Sequence, residues 1–309
     1  MNSSMSKSNQ VDLPKGIQKS IALPCSDLGA LWKSIILDDE RKKELVNQAL
    51  LNFTVRTQVS RSVLPLHGVI LLVGPPGTGK TSLARGLANC TAESFFNAGR
   101  QFRLLEVEPH SLTSAAMGKT QRTVTELFSQ TIAEVAASGP TIVILDEVET
   151  LAADRVKLSL EANPIDVHRA TDAVLVQLDL LAEQFPALLF IATSNFPEAV
   201  DAAFTSRCDL ISQIPMPNAQ ACDLILRDCL TGLGHVFPPI AALQNSSEFN
   251  RLAAECVGLD GRTIRKVVAN GMAQRQETAI DPNQLTINDL IAAATKAKSA
   301  RAAAKGEQS

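Results

Sequence analysis

The feature that most restricts the fold of this chain is a short apolar run that ends in a glycine- and proline-rich loop. Residues 68–74 have the sequence GVILLVG, and the loop continues as PPGTGKT to residue 81. An apolar run with so few interruptions is typical of a strand that is covered on both faces, as in a parallel sheet. Glycines let backbone N–H groups turn inward around an anion, and a helix that starts there adds its positive dipole end. The sequence therefore predicts a strand, an anion-binding loop and a helix in direct succession.

The loop matches the P-loop pattern G-x-x-x-x-G-K-[ST] at every fixed position. Lys80 is expected to contact the β- and γ-phosphates of ATP, and the Thr81 hydroxyl is expected to help hold Mg²⁺. An incidental glycine-rich turn is the alternative, and the position of the motif between a strand and a helix disfavours it. The predicted nucleotide-binding residues of the loop are Gly74, Pro75, Pro76, Gly77, Thr78, Gly79, Lys80, Thr81 and Ser82.

Strand-like and helix-like segments alternate through the following part of the chain. Further strands are predicted at RLLEVE (103–108), TIVILDE (141–147) and LLFIATSN (188–195), with helical periodicity between them. This alternation predicts an α/β fold with a parallel sheet flanked by helices. After Pro215-Met216-Pro217 the strand-like runs stop, which predicts a small all-helical C-terminal domain.

The predicted organisation has four parts. These are a flexible N-terminal arm (1–30), a large α/β domain (31–215), a helical domain (216–295) and a flexible tail (296–309). The helices of the third part are predicted at 219–233, 249–257, 262–275 and 287–295. Thr286 and Asp289 are predicted to cap the last of them.

Polar residues follow two of the predicted strands. Asp146-Glu147 comes directly after TIVIL, and Asn195 ends the strand LLFIATSN. Carboxylates at the end of a buried strand cost folding free energy unless they bind a ligand or a partner. Beside a P-loop, Asp146 is expected to hold Mg²⁺, Glu147 to activate the attacking water and Asn195 to contact that water or the γ-phosphate. Taken alone, the acidic pair and Asn195 could equally be ordinary turn residues.

Composition excludes several other classes of site. The six cysteines and four histidines show no spacing typical of a zinc site, which favours reduced thiols in the cytoplasm. A net charge of −3 gives no general attraction to nucleic acid. The polar segment MNSSMSKSNQ does not resemble a signal peptide, and no apolar run is long enough to predict a membrane span.

Together these motifs resemble the AAA+ P-loop NTPases, and most closely the pachytene checkpoint protein 2 family, also called thyroid-hormone-receptor-interacting protein 13. The resemblance covers about residues 31–294. The matching stretches are LWKSIILDDERKKEL, GPPGTGKTSLARGLA, PHSLTSAAMGKTQRTVTELF, ILDEVETLAADR, AVLVQLD, TSNFPEAVDAAFTSRCD and GLDGRTIRKV. The resemblance implies an ATPase domain with a helical lid.

The resemblance also implies roles for further residues. Arg207 matches the arginine finger that reaches the ATP of a neighbouring subunit; a surface salt bridge is the alternative. Arg262 matches the lid residue that contacts the γ-phosphate, with Arg265 as the competing candidate. Ile36 lies in the segment that lines the adenine pocket.

The central-pore loop of the family corresponds here to Ala116-Met117-Gly118. Family members usually carry an aromatic residue at the position of Met117, so an ordinary loop methionine is the alternative there.

The resemblance implies a homohexameric ring that uses ATP to remodel a protein. Short bacterial members are linked to HORMA-domain proteins and to cyclic-oligonucleotide synthases of anti-phage signalling, whose complex they disassemble. The alternatives are an AAA+ ATPase that acts on DNA, such as a clamp or helicase loader, and a non-catalytic nucleotide-dependent scaffold. The net charge disfavours the first, and the complete set of Lys80, Asp146, Glu147 and Arg207 disfavours the second.

Overall fold

The computed structural model describes residues 13–112, 119–153 and 164–306. Its sheet has the strand order β1-β3-β4-β5-β2-β6. All neighbouring strands are parallel except β1, which pairs with β3 in antiparallel fashion. The strands are β1 (Ile17–Leu23), β2 (Val69–Val73), β3 (Phe102–Val107), β4 (Thr141–Leu145), β5 (Leu188–Ser194) and β6 (Leu210–Gln213). The predicted α/β class and the strands predicted from the apolar runs are confirmed.

The sheet is covered on both faces, which explains why the sequence of β2 is apolar throughout. Val69, Leu71 and Val73 enter one hydrophobic cluster. Ile70 and Leu72 point to the opposite face and enter a second cluster. All five residues are buried. A strand with two apolar faces loses the usual alternation of polar and apolar residues.

Helices precede and follow the strands in the first part of the chain. Their bounds are Ser26–Ser34, Asp39–Thr54, Lys80–Phe96, Pro109–Leu112, Lys119–Glu126, Ala133–Ser138, Pro164–Gln184 and Ala202–Thr205. A π-helical segment, Leu127–Ile132, joins two of them, and single 3₁₀ turns lie at Val148–Thr150 and Pro197–Ala199. No described helix combines the length and the apolar character that a bilayer crossing requires.

The segment Pro215-Met216-Pro217 leads into a helical unit with a hydrophobic cluster of its own. Its helices are Ala219–Gly234, Pro238–Ala242, Phe249–Glu255, Gly261–Met272, Gln276–Ile280 and Ile287–Gly306, with 3₁₀ turns at Leu243–Asn245 and Pro282–Gln284. The predicted cap of the last helix is confirmed. The Thr286 N–H donates to Asp289 Oδ2 at 3.0 Å, and the Asp289 N–H donates to Thr286 Oγ1 at 3.3 Å.

The prediction of a flexible arm over 1–30 is wrong for residues 17–30. Strand β1 and the start of the helix Ser26–Ser34 lie within it. The strand has only two buried residues, Ile17 and Leu23, and its backbone partners are in β3, far away in sequence. Local periodicity is therefore weak, because the pairing that forms the strand is non-local.

The prediction of a flexible tail over 296–309 is wrong for residues 296–306, which continue the helix Ile287–Gly306. Alanine, lysine and arginine are strong helix formers, so the composition of this segment favours a longer helix. A tertiary contact also anchors it: Arg301 Nη1 donates to Asp260 Oδ2 at 3.3 Å.

Candidate nucleotide-binding and hydrolysis site

The P-loop connects the carboxyl end of β2 to the helix Lys80–Phe96. Gly79 caps this helix in a left-handed conformation, with φ of 90°. Gly77 has φ of 80°, and a Cβ at this position would collide with the carboxylate of Asp260 from the helical unit. Any other residue at position 77 would therefore be disfavoured by the backbone conformation and would also lack space for its side chain. The loop keeps its backbone open toward an anion at the helix N-terminus.

Lys80 is almost fully buried at the base of this loop, with 6% of its surface exposed. Its Nζ donates to the carbonyl oxygens of Gly74 and Pro75 at 2.7 and 2.9 Å, and to Asn195 Oδ1 at 2.7 Å. Burial lowers the pKa of the ammonium group, and nearby carboxylates, with Glu149 first among them, oppose that shift. The Lys80 ammonium group thus lies among oxygen acceptors, and the phosphate oxygens of a nucleotide are acceptors of the same kind.

Thr81 and Asp146 lie side by side, as the sequence predicted. The Thr81 hydroxyl donates to Asp146 Oδ1 at 2.8 Å. Mg²⁺ in nucleotide sites usually takes one or two carboxylates, with phosphate oxygens and waters as its other ligands. A hydroxyl and a carboxylate in contact fit that requirement. No group of three or more His, Cys, Asp or Glu residues able to hold a metal occurs in the described ranges.

Thr193 also belongs to this site, although the sequence analysis did not single it out. Its hydroxyl donates to Asp146 Oδ1 at 2.5 Å and accepts the Glu147 N–H at 3.1 Å. Glu147 has φ of 52°, a left-handed conformation that is unfavourable for a residue with a side chain. The available signal was the pair of buried hydroxyl residues, Thr193 and Ser194, that ends the apolar strand LLFIATS, because a buried hydroxyl must find a partner.

Asn195 connects the lysine to the acidic residues. Its Oδ1 accepts from Lys80, and its Nδ2 donates to Glu147 Oε1 at 3.2 Å. Its backbone N–H donates to Glu149 Oε1 at 3.1 Å. The carboxyl ends of β4 and β5 thus bring Glu147 and Asn195 together beside the P-loop, as expected for neighbouring parallel strands.

A cavity of about 580 Å³ extends from the P-loop between the sheet and the helical unit. Gly77, Thr78, Gly79 and Ser82 form one wall. The other walls come from the segments 31–38, 214–218 and 261–265, with Ala221 and Ile225. Ile36 is one of the lining residues and packs against the cluster of the helical unit, which places the predicted adenine-pocket segment here.

The two arginines at the start of the helix Gly261–Met272 both line the cavity, but they differ in their contacts. Arg265 donates to the Ser34 carbonyl at 3.0 Å and to Asp228 at 2.9 Å. The side chain of Arg262 is exposed and has no hydrogen-bond or ion-pair partner among the described residues. Its backbone N–H donates to the Gly77 carbonyl at 3.2 Å, and its charge contributes to lowering the Lys80 pKa. Arg262 is therefore the arginine that is available to a ligand of the P-loop.

Arg207 is not brought to the P-loop. Its Nε and Nη2 donate to the two oxygens of Asp179 at 3.0 and 2.7 Å, and Nη1 donates to the Ala203 carbonyl at 2.6 Å. These hydrogen bonds hold the pKa of Asp179 below its usual value. The surface salt bridge considered as the alternative from sequence is thus present in the isolated chain.

Arg207 precedes β6, and Asp209, two residues after it, shows which end of the sheet it lies near. The Asp209 carboxylate accepts the N–H groups of His67, Gly68 and Val69, at the amino end of β2, at 2.8, 2.6 and 3.1 Å. The P-loop begins at the opposite end of that strand. Strand β2 has five residues, and at about 3.3 Å per residue it separates the two ends by about 16 Å.

The predicted pore-loop residues Ala116, Met117 and Gly118 lie outside the described residues. Their assignment stays a prediction.

Comparison with known proteins agrees with this geometry. The model of the ATPase family associated with various cellular activities (AAA) matches residues 70–216. CD-NTase-associated protein 6 of Pseudomonas aeruginosa is 65% identical over 294 residues, which cover 95% of this chain and 96% of that protein. The pachytene checkpoint protein 2 homolog of Xenopus tropicalis is 32% identical over 79% of this chain. The chain spans 61% of the length of that homolog.

Two solved structures share the fold. PCH-2 of C. elegans superimposes with a TM-score of 0.73 at 24% identity, over 94% of this chain and 78% of that one. A chain of the HORMA:CdnC:Trip13 complex of E. coli MS115-1 gives a TM-score of 0.74 at 18% identity, over 91% and 95%. The chain therefore belongs to the AAA family of ATP hydrolases, within the group formed by CD-NTase-associated protein 6 and the pachytene checkpoint protein 2 homologs.

Proposed function

We propose that the chain is an ATP-driven, ring-shaped remodeller that partly unfolds a HORMA-domain protein and separates it from a cyclic-oligonucleotide synthase. The observation that carries this proposal is the 65% identity, over nearly the full length of both chains, to a protein named for its association with a CD-NTase. A structural neighbour occurs in a complex with HORMA and CdnC proteins, which supports the same class of partner. The expected location is the cytoplasm, where ATP and Mg²⁺ are supplied.

The nucleotide site has the groups that hydrolysis of MgATP requires. Lys80 would hold the β- and γ-phosphates, and Thr81 with Asp146 would hold Mg²⁺. When bound, Mg²⁺ neutralises charge that develops on the phosphate oxygens.

Glu147 would accept a proton from the attacking water. Asn195 is hydrogen-bonded to both Glu147 and Lys80, which suits a residue that orients that water against the γ-phosphate. Arg262, at the entrance of the same cavity, is the proposed lid residue that senses the γ-phosphate.

We propose that Arg207 acts on the nucleotide of a neighbouring subunit. The separation of about 16 Å along β2 keeps it from the P-loop of its own chain. A head-to-tail contact between copies would instead place the amino edge of one sheet near the P-loop of the next, and such contacts close into a ring. A homohexamer is the assembly we propose. The ion pair with Asp179 would hold the guanidinium ready at the surface of the isolated chain.

The remodelling step requires a contact with the substrate, for which we propose the loop Ala116-Met117-Gly118. A flexible apolar side chain such as Met117 can pack against many different polypeptide segments.

A trapping experiment tests the proposed substrate. Tagged Glu147→Gln protein with MgATP should retain the HORMA-domain protein of the same genome together with its synthase, because only the water-activating carboxylate is lost. Wild-type protein should release both, and Lys80→Ala protein should retain neither. The proposal is wrong if Glu147→Gln protein retains no HORMA-domain protein, or if DNA stimulates the ATPase rate and the HORMA complex does not.

A mixing experiment tests the role of Arg207 independently. Lys80→Ala and Arg207→Ala proteins, each inactive alone, should regain part of the ATPase activity when co-assembled. A mixed ring contains interfaces with an intact Lys80 on one side and an intact Arg207 on the other. Co-assembled rings without activity at any mixing ratio would count against action in trans.

A further inference from the structure

A third carboxylate lies in the hydrolysis site and has no role in the mechanism described so far. Glu149 belongs to the turn Val148–Thr150, which Asp146 and Glu147 separate from the end of β4. Its Oε1 accepts the Asn195 backbone N–H at 3.1 Å. Its Oε2 is buried and has no hydrogen-bond partner among the described residues. A buried carboxylate oxygen without a donor is destabilising, so its presence in this site calls for a physical reason.

The hydrogen bonds of Asn195 connect Glu149 to Lys80 and Glu147. The side chain of Asn195 is held between Lys80 Nζ, at 2.7 Å, and Glu147 Oε1, at 3.2 Å. Those two contacts fix the amide group only if the backbone of Asn195 is itself fixed. The backbone N–H of Asn195 lies just beyond β5, and the Glu149 carboxylate is the acceptor that holds it.

A purely structural tether would need only one oxygen, and a glutamine could supply it. Glu149 has a second oxygen and a negative charge. Glu149 is the first among the carboxylates that oppose the burial-induced fall of the Lys80 pKa, ahead of Asp146 and Glu147. Lys80 directs its hydrogen bonds to Gly74, Pro75 and Asn195 and none to Oε2, which leaves this oxygen available to water or a ligand group.

We propose that Glu149 is a positioning residue for ATP hydrolysis, which fixes Asn195 between Lys80 and Glu147 through Oε1 and accepts a hydrogen bond from water on the reaction side through Oε2. The proposal rests on the assignment of hydrolysis to this site, and it is independent of the protein that the ring remodels.

Steady-state ATPase kinetics of two variants separate the two oxygens. Glu149→Ala removes both, and kcat should fall about tenfold or more because a hydrogen bond to a charged group is lost. Glu149→Gln keeps an acceptor for Asn195 but replaces Oε2 with a donor, so kcat should lie between Glu149→Ala and wild type. KM and the affinity for a fluorescent ATP analogue should change little in either variant, since the phosphate-binding loop is intact. Glu134→Gln, on the exposed face of the helix Ala133–Ser138 and outside the hydrolysis site, is the matched control and should behave as wild type.

A double-mutant cycle with Asn195→Ala tests the route of action. If Glu149 acts by placing Asn195, its replacement should lower kcat little further in the Asn195→Ala background. Fully additive losses would overturn the route through Asn195 and Oε1, and wild-type kcat in Glu149→Ala would overturn the proposal as a whole. Wild-type kcat in Glu149→Gln would overturn the role of Oε2. These assays contain no HORMA-domain protein, so failure of the proposed remodelling function would leave their outcome unaffected.

Discussion

Replacing Thr193 with valine should separate ATP hydrolysis from ATP binding. The two side chains have nearly the same shape, and Thr193 is 1% exposed, so the packing of β5 should be preserved. Only the hydroxyl is lost, and with it the hydrogen bonds to Asp146 Oδ1 and from the Glu147 N–H. The second of these supports the left-handed conformation that aims the Glu147 side chain.

The size of the effect follows from these contacts. A left-handed conformation costs a residue with a side chain about 1–2 kcal/mol. Loss of the acceptor leaves the Glu147 N–H without its partner, which costs about 1–3 kcal/mol and favours rearrangement. A shift of about 1.4 kcal/mol changes a population tenfold, so the fraction of correctly placed Glu147, and with it kcat, should fall by about tenfold or more.

Single-turnover hydrolysis of ATP, with affinity for a fluorescent ATP analogue measured in parallel, checks this expectation. Thr193→Val should hydrolyse slowly and bind the analogue with near wild-type affinity. Thr193→Ser keeps the hydroxyl and should hydrolyse within a few-fold of wild type. The reasoning fails if valine leaves the rate unchanged, or if serine is as harmful as valine.

Three further outcomes are expected. Lys80→Ala should abolish binding of a fluorescent ATP analogue, because it removes the ammonium group expected to contact the β- and γ-phosphates; normal affinity in a titration would contradict this. Asp179→Asn should destabilise the folded chain at neutral pH. Hydrogen bonds from Arg207 lower the pKa of the Asp179 carboxyl in the folded state. They therefore stabilise the fold at pH values above the unfolded-state pKa of about 3.9, and this stabilisation is lost as the pH falls through the lower folded-state pKa. Urea unfolding of wild-type and Asp179→Asn protein should therefore show a difference in unfolding free energy that narrows below about pH 4. A difference that stays constant with pH would refute the role given to the Asp179–Arg207 pair. Burial raises the pKa of the half-buried Cys208 thiol to about 12, so at pH 8 it should react with a disulfide reagent much more slowly in the native protein than after unfolding, and equal rates would contradict this expectation.

The sequence predicted the centre of the site because its chemistry depends on contiguous residues. The P-loop carries its own strand and helix, and Asp146-Glu147 directly follows an apolar strand. The contacts of Thr193 and Glu149 depend instead on the register of β4 beside β5, which pairs Leu145 with Ala192. That register brings together residues more than forty positions apart. The periodicity of a single segment therefore cannot predict it.

The same reason explains the error at the N-terminal side of the sheet. Strand β1 is an edge strand with polar residues on its exposed face, and it forms because β3 supplies its backbone partners. The choice between Arg262 and Arg265 was also open from sequence, since both lie on the first turns of one helix. It depends on Ser34 and Asp228, which contact Arg265 from two other parts of the chain.

The connection between the sheet and the helical unit sets how motion can pass between them. Ile214 is hydrogen-bonded to the end of β2, and Asn218 caps the following helix, so both ends of the connection are fixed. Pro215 and Pro217 have a fixed φ, and each also restricts the residue before it. Rotation of one unit against the other is thus confined to a few torsions around Met216. A rotation of the sheet at the end of β2 would therefore be passed to the helical unit with little loss.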